Sequence, residues 1–152
     1  MINDLKKIIS MPTILCECEN GTTFGDENDM IGGAAHLDVV PVNAADWNTN
    51  PFELVDKNGI LYGRGVADDK GPAIVCLHVL AELNKFKLKH KVRIIVGGDE
   101  ETSSRGLKKY CKEQKLPVCS LVPDADFPLI NSEKGILHLS FTTRIQPSYG
   151  IK

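Results

Sequence analysis

The chain has 152 residues, 42% of them hydrophobic and 25% charged, with a formal net charge of −2. That balance suits one soluble globular core and gives no basic footprint for nucleic acid or an anionic membrane surface. No apolar stretch approaches the roughly 18 residues of a bilayer span. The first residues, Met1-Ile2-Asn3-Asp4-Leu5-Lys6-Lys7, have neither the apolar centre nor the cleavage site of a signal peptide. Five cysteines in a spacing that suits neither a disulfide framework nor a zinc knuckle point to a reducing, cytoplasmic compartment. Oligomeric state is left open.

In chain order, residues 4–10 read as a short helix stopped by Pro12. Residues 16–29 read as a polar, Gly-containing loop. It carries the C-x-C pair Cys16 and Cys18, a weak metal motif without a second pair nearby. Residues 30–36 are apolar and small, fitting a buried strand. Residues 46–58, with Trp47 and Pro51, read as a loop, and residues 60–62 as a brief strand before Gly63. Pro72 suits the first turn of a helix, and Ala73, Cys76, Leu77, Leu80 and Leu83 recur at helical spacing behind it. On that helix His78 reads as a satisfied core histidine and Cys76 as a small core residue. Lys85, Lys87, Lys89 and Lys91 form a solvated run that includes His90. Residues 92–96 alternate too little for a half-exposed strand, which makes them central and covered on both faces. Residues 103–114 read as an amphipathic helix through Leu107, Tyr110 and a core Cys111. Residues 121–122 read as a short strand, and residues 135–143, with His138, as a longer one. Strands alternating with helices imply an α/β sheet covered by helices, whose ligands bind at the carboxyl ends of the strands.

The acidic clusters fall at those ends. Buried strands that end in uncompensated carboxylates need a counter-charge, and a divalent cation is the usual one. His36 and Asp38 alternate on one strand and so share a face. They could be a metal ligand and the group that orients it, although H-x-D alone also reads as structural. Asp68 and Asp69 stand between a Gly-rich turn and a helix start. One aspartate is explained by an N-cap; a second exceeds that need, and a carboxylate bridging two ions would account for it. Glu100 and Glu101 follow Asp99 at a strand end, and neighbouring side chains on extended backbone point opposite ways. The pair could divide metal binding from base catalysis, or be only an acidic loop. Asp124 and Asp126 flank Ala125 in what could be a turn with two acceptors. Together these residues supply several oxygens and one imidazole, a set suited to a dinuclear zinc or manganese hydrolytic centre.

Several long motifs in order carry a resemblance: G-A-A-H-L-D-V-V-P, W-N-T-N-P-F-E-L, L-Y-G-R-G-V-A-D-D-K-G-P, V-G-G-D-E-E-T-S-S and P-D-A-D-F-P-L-I-N-S-E-K-G. Over residues 33–135 the chain resembles the co-catalytic zinc metallopeptidases, the family of carboxypeptidase G, acetylornithine deacetylase and carnosinase, and particularly peptidase V-type dipeptidases. The resemblance implies a three-layer α/β/α catalytic domain over residues 1–143, incomplete, with residues 144–152 beginning a lid domain or tail that is absent. It implies that His36 and Asp124 bind one metal, Asp68 bridges both, Glu101 binds the second, Glu100 is the general base and Asp38 orients the site. The Asp68–Asp69 peptide would be cis. Two zinc ions would occupy a complete site, with manganese or cobalt as alternatives, and the substrate would be a dipeptide.

Departures from the family accompany these expectations. Its remaining histidine ligand comes after the lid, beyond where this chain stops, and the segment before Met30 is shorter than the family's. The implied activity is a zinc-dependent dipeptidase, a hydrolase acting on peptide bonds. The alternatives are an N-acyl-amino-acid deacylase or a truncated, non-catalytic metal-binding remnant. The P-D-A-D-F-P-L-I-N context favours the dipeptidase. The 152-residue chain alone would be poorly active.

Overall fold

A computed structural model of the chain describes residues 1–9, 20–24 and 29–144. The elements are α1 (Ile2–Ile9), β1 (Asn20–Phe24), β2 (Met30–His36), a 3₁₀ turn (Ala44–Asp46), β3 (Val55–Lys57), β4 (Ile60–Tyr62), α2 (Lys70–Leu83), β5 (Lys91–Gly97), α3 (Arg105–Glu113) and β6 (Cys119–Leu121). Pro12, Cys16, Cys18 and residues 145–152 of the expected lid or tail lie outside the described residues.

The main sheet has the order β1-β5-β2-β6. β2 lies parallel to both β5 and β6, with Ala34 opposite Ile95 and Gly33 opposite Leu121. Parallel strands need crossovers, and α2 and α3 lie in those two connections. The helices lie on opposite faces. Gly33 and Ile94 look toward α2 residues Val75, Val79 and Leu80 across an apolar cavity of about 470 Å³. On the other face Ala34 and Ile95 look toward Leu107 of α3, and the Arg93 guanidinium donates to the Tyr110 hydroxyl at 2.7 Å. The result is the expected α/β/α layering. A separate core forms where Leu5 and Ile9 of α1 meet Leu54 and Ile74, with Leu61 and Val66 against them.

Several expectations need correction. Part of the loop expected over residues 16–29 is an edge strand. β1 pairs antiparallel with β5, Asn20 opposite Val96, so its conformation comes from the neighbouring ladder rather than from its own polar sequence. The loop expected up to residue 58 contains β3, paired with β4 through Asn58-Gly59 at φ 56° and 82°. Both residues in the left-handed region are what a two-residue hairpin turn demands, and the Asp56 Oδ1 accepts the Gly59 N–H at 2.8 Å. Residues 135–143 form no strand; Ile136, Leu137, Leu139 and Phe141 are exposed. Their apolar pattern has no neighbouring strand among the described residues, and a lone strand is not stable in water.

β5 is central in the sheet but only half-buried along most of its length: Val92 and Ile94 line the cavity under α2, and Ile95 and Gly97 line the cleft on the other face. His78 is not in the core: its imidazole is exposed and lies 3.2 Å from the Asp4 carboxylate of α1. Leu77 is exposed beside it, and Cys111 faces outward on α3. Only Ala73, Ile74 and Leu80 of the apolar positions on α2 are buried, together with Lys70. No helix among the described residues is long and apolar enough to cross a membrane.

Candidate metal centre

The parallel strands β2, β5 and β6 all end at one edge of the sheet, and the acidic clusters leave from those ends. His36 is the last residue of β2, Glu100 and Glu101 follow β5, and Asp124 follows β6. Asp68 reaches the same edge from the turn before α2. That turn is compact. Arg64 donates its backbone N–H to the Pro51 carbonyl at 2.7 Å and lies over the Trp47 ring. The Gly71 N–H returns to the Gly65 carbonyl at 3.2 Å. Residue 71 has to be glycine, because a Cβ there would overlap the Val66 carbonyl oxygen. The Asp68–Asp69 peptide is cis, as the resemblance implied.

His36 is the centre of the cluster and is 3% exposed. Its Nδ1 lies 2.9 Å from the Asp38 carbonyl oxygen and 3.4 Å from the Asp38 carboxylate. Its Nε2 lies 3.0 Å from Asp68 Oδ1, 3.4 Å from Asp124 Oδ2 and 4.0 Å from Glu100 Oε2. The Nδ1 contact with the Asp38 carbonyl is a hydrogen bond, whereas the buried Nε2 has no hydrogen-bond partner. One ligand atom from each of His36, Asp68 and Asp124 falls within 4.8 Å of the others. Donor atoms that converge on a common point without bonding one another are what a cation site requires.

Asp38 is fully buried, and both carboxylate oxygens are used: Oδ1 accepts the Glu100 N–H and Oδ2 the Glu101 N–H, each at 3.0 Å. The acidic loop after β5 is thereby pinned to the end of β2. Asp99, singled out in the sequence only as one of three acids, belongs to α3. Its Oδ2 accepts the Arg105 N–H at 2.7 Å and its Oδ1 the Gly106 N–H at 3.2 Å. Ser104 precedes that helix at φ 48° and makes no side-chain cap, so Asp99 satisfies the free N–H groups from five residues further back. Asp126 is exposed and joins no cluster, and His90 pairs with Asp29 at 2.6 Å.

The electrostatics follow from crowding acids at a half-buried edge. Burial opposes protonation of His36, yet the carboxylates of Asp124, Asp38, Asp69 and Asp68 outweigh it and hold its pKa above the usual value. Burial raises Asp69 to about 6 against the pull of the His36 N–H. Burial also raises Asp124 and Glu101, with Asp68 adding to each. Glu101 stands outside the triad, although its Oε1 is buried without a hydrogen-bond partner. A divalent ion bound among these carboxylates would oppose every one of these shifts. The residues present fit a metal.

The sequence profile of peptidase family M20/M25/M40 matches residues 33–147. YtjP of Bacillus subtilis (strain 168) is 40% identical over 128 residues, covering 82% of this chain and 27% of that protein. The Beta-Ala-Xaa dipeptidase of Lactobacillus delbrueckii subsp. lactis is 37% identical over 130 residues, covering 84% of this chain and 27% of its own. Human carnosine dipeptidase 1 shares the fold at TM-score 0.67 and 19% identity, over 80% of this chain and 37% of that one. This chain therefore spans about a quarter of the length of the curated relatives it matches.

Proposed function

Because the chain belongs to peptidase family M20/M25/M40, we propose that the edge formed by β2, β5 and β6 is the metal-binding and base-bearing part of a zinc-dependent dipeptidase centre. The observation that carries this reading is the convergence of His36, Asp68 and Asp124 ligand atoms within 4.8 Å, with the Glu100 carboxylate 4.0 Å from the same imidazole nitrogen. His36, Asp68 and Asp124 would hold a first ion, and Asp68 with Glu101 a second. Zinc suits the mixed nitrogen and oxygen donors, and manganese or cobalt could replace it. Ions bound here would lower the pKa of a water and polarise the substrate carbonyl.

The chain's own residues then have distinct tasks. Glu100 is half exposed and its carboxylate is open to the edge, so it can take the proton of the attacking water and pass it to the leaving amine. Asp38 holds that residue's backbone and the His36 ring, fixing the base relative to the ligand. A dipeptide is the substrate class, in keeping with the Beta-Ala-Xaa dipeptidase among the relatives; an N-acyl-amino-acid substrate is the alternative that the experiment separates.

A second reading has its own support. Among the described residues His36 is the one imidazole at the centre, since His78 and His90 pair elsewhere and His138 lies on an exposed segment without secondary structure. The second ion would then be weakly held, and the chain alone would be a metal-binding unit of low turnover. The test assays the zinc-loaded chain against dipeptides and N-acyl amino acids, with Glu100→Gln as control. Slow dipeptide hydrolysis, lost in Glu100→Gln without loss of bound zinc, is expected. Preference for acyl amino acids, or activity unchanged by Glu100→Gln, would overturn the reading.

A further inference from the structure

Asp69 is fully buried at this centre, and the proposed reaction does not use it. It stands immediately before α2, where an aspartate normally caps the helix, yet its side chain makes no capping bond. Its Oδ2 accepts instead the backbone N–H of His36, 33 residues earlier, at 2.9 Å. Its Oδ1 is buried without a hydrogen-bond partner. A carboxylate withdrawn from water for one hydrogen bond is an expensive way to hold a helix start, and burial pushes its pKa up to about 6. Stability alone would favour an apolar residue or a true cap at this position.

What Asp69 does provide is a tie between the end of β2 and the start of α2, the two places that carry His36 and Asp68. The His36 main chain is held by Asp69, its Nδ1 lies against Asp38, and its Nε2 is left 3.0 Å from Asp68 Oδ1. We propose that Asp69 is a positioning residue: by accepting the His36 main-chain N–H it fixes the spacing between the His36 imidazole and the Asp68 carboxylate. The inference rests on the metal-centre reading for its purpose, and on geometry alone for its action.

The test titrates cobalt(II) into the metal-free chain and into Asp69→Ala and Asp69→Asn, following the visible absorption bands. The His36 ring NMR shifts of the metal-free forms are recorded alongside. Asp69→Ala is expected to weaken cobalt binding by about 10–100-fold and to alter the bands. Asp69→Asn keeps an oxygen that can accept the N–H and is expected to restore both. Parental affinity and spectrum in Asp69→Ala would overturn the proposal, as would an Asp69→Asn as defective as the alanine variant. If Asp69→Ala does not fold, Asp69→Asn decides alone: parental bands uphold the proposal and altered bands overturn it. If the parent takes up no cobalt, the metal-centre reading fails and the His36 ring shifts decide instead. Displacement in Asp69→Ala with return in Asp69→Asn upholds the tie; identical shifts overturn it. Should Asp69→Ala also not fold, parental ring shifts in Asp69→Asn uphold it and displaced shifts overturn it.

Discussion

Three buried carboxylates at the centre act on backbone rather than on substrate. Asp38 takes two N–H groups of the Glu100–Glu101 loop, Asp69 takes that of His36, and Asp99 takes two from the first turn of α3. Asp38 gives the sharpest single-residue prediction. In Asp38→Asn one acceptor oxygen becomes an NH₂ group facing an N–H donor, on a side chain that is itself fully buried. Loss of about 1–3 kcal/mol of stability is expected, read as a lower midpoint in denaturant, with Glu100 misplaced as well. An unchanged midpoint would mean the two bonds do not hold the loop. His36 and Asp124 are legible as ligand candidates because they stand where apolar strand runs end, and Asp68 because a second aspartate before a helix exceeds what a cap needs. The backbone-binding roles of Asp69 and Asp99 were not, since each depends on a tertiary partner that no local pattern announces.

At the scale of elements, the site exists because three parallel strands end together while α2 starts beside them. The start of α2 leaves no room at Gly71, whose Cβ position is taken by the Val66 carbonyl. Gly71→Ala must push the turn bearing Asp68 away from His36, at a cost of about 1–3 kcal/mol or more. It should lose both stability and cobalt binding, whereas Ala81→Gly on the exposed face of α2 should cost only about 1 kcal/mol and leave binding intact. Equal effects of the two substitutions on binding would argue against the tight turn. The parallel strands and both crossover helices could be read from apolar runs and from Pro72. β3 escaped because Val55-Asp56-Lys57 carries little apolar signal, although Asn58-Gly59 marks the hairpin. Residues 135–143 misled in the other direction: their alternation is real, but a strand needs a neighbour.

The whole molecule carries an apolar surface that its described parts do not cover. Phe127 and Phe141 are 99% and 90% exposed, and Ile136, Leu137 and Leu139 stand between them. The apolar cavity under α2 adds to this surface. Exposure on this scale favours association, so the isolated chain should elute above its monomer mass in light scattering and bind a hydrophobic dye. A dye-free monomer at micromolar concentration would contradict that expectation. The central claim, that His36, Asp68 and Asp124 form a cation site, stands apart from association and is tested by zinc stoichiometry. Zinc retained after dialysis should be about one ion per chain, because three protein ligands suffice for one site, and His36→Ala should retain none. Equal zinc in the chain and in His36→Ala, or none in either, would contradict the account.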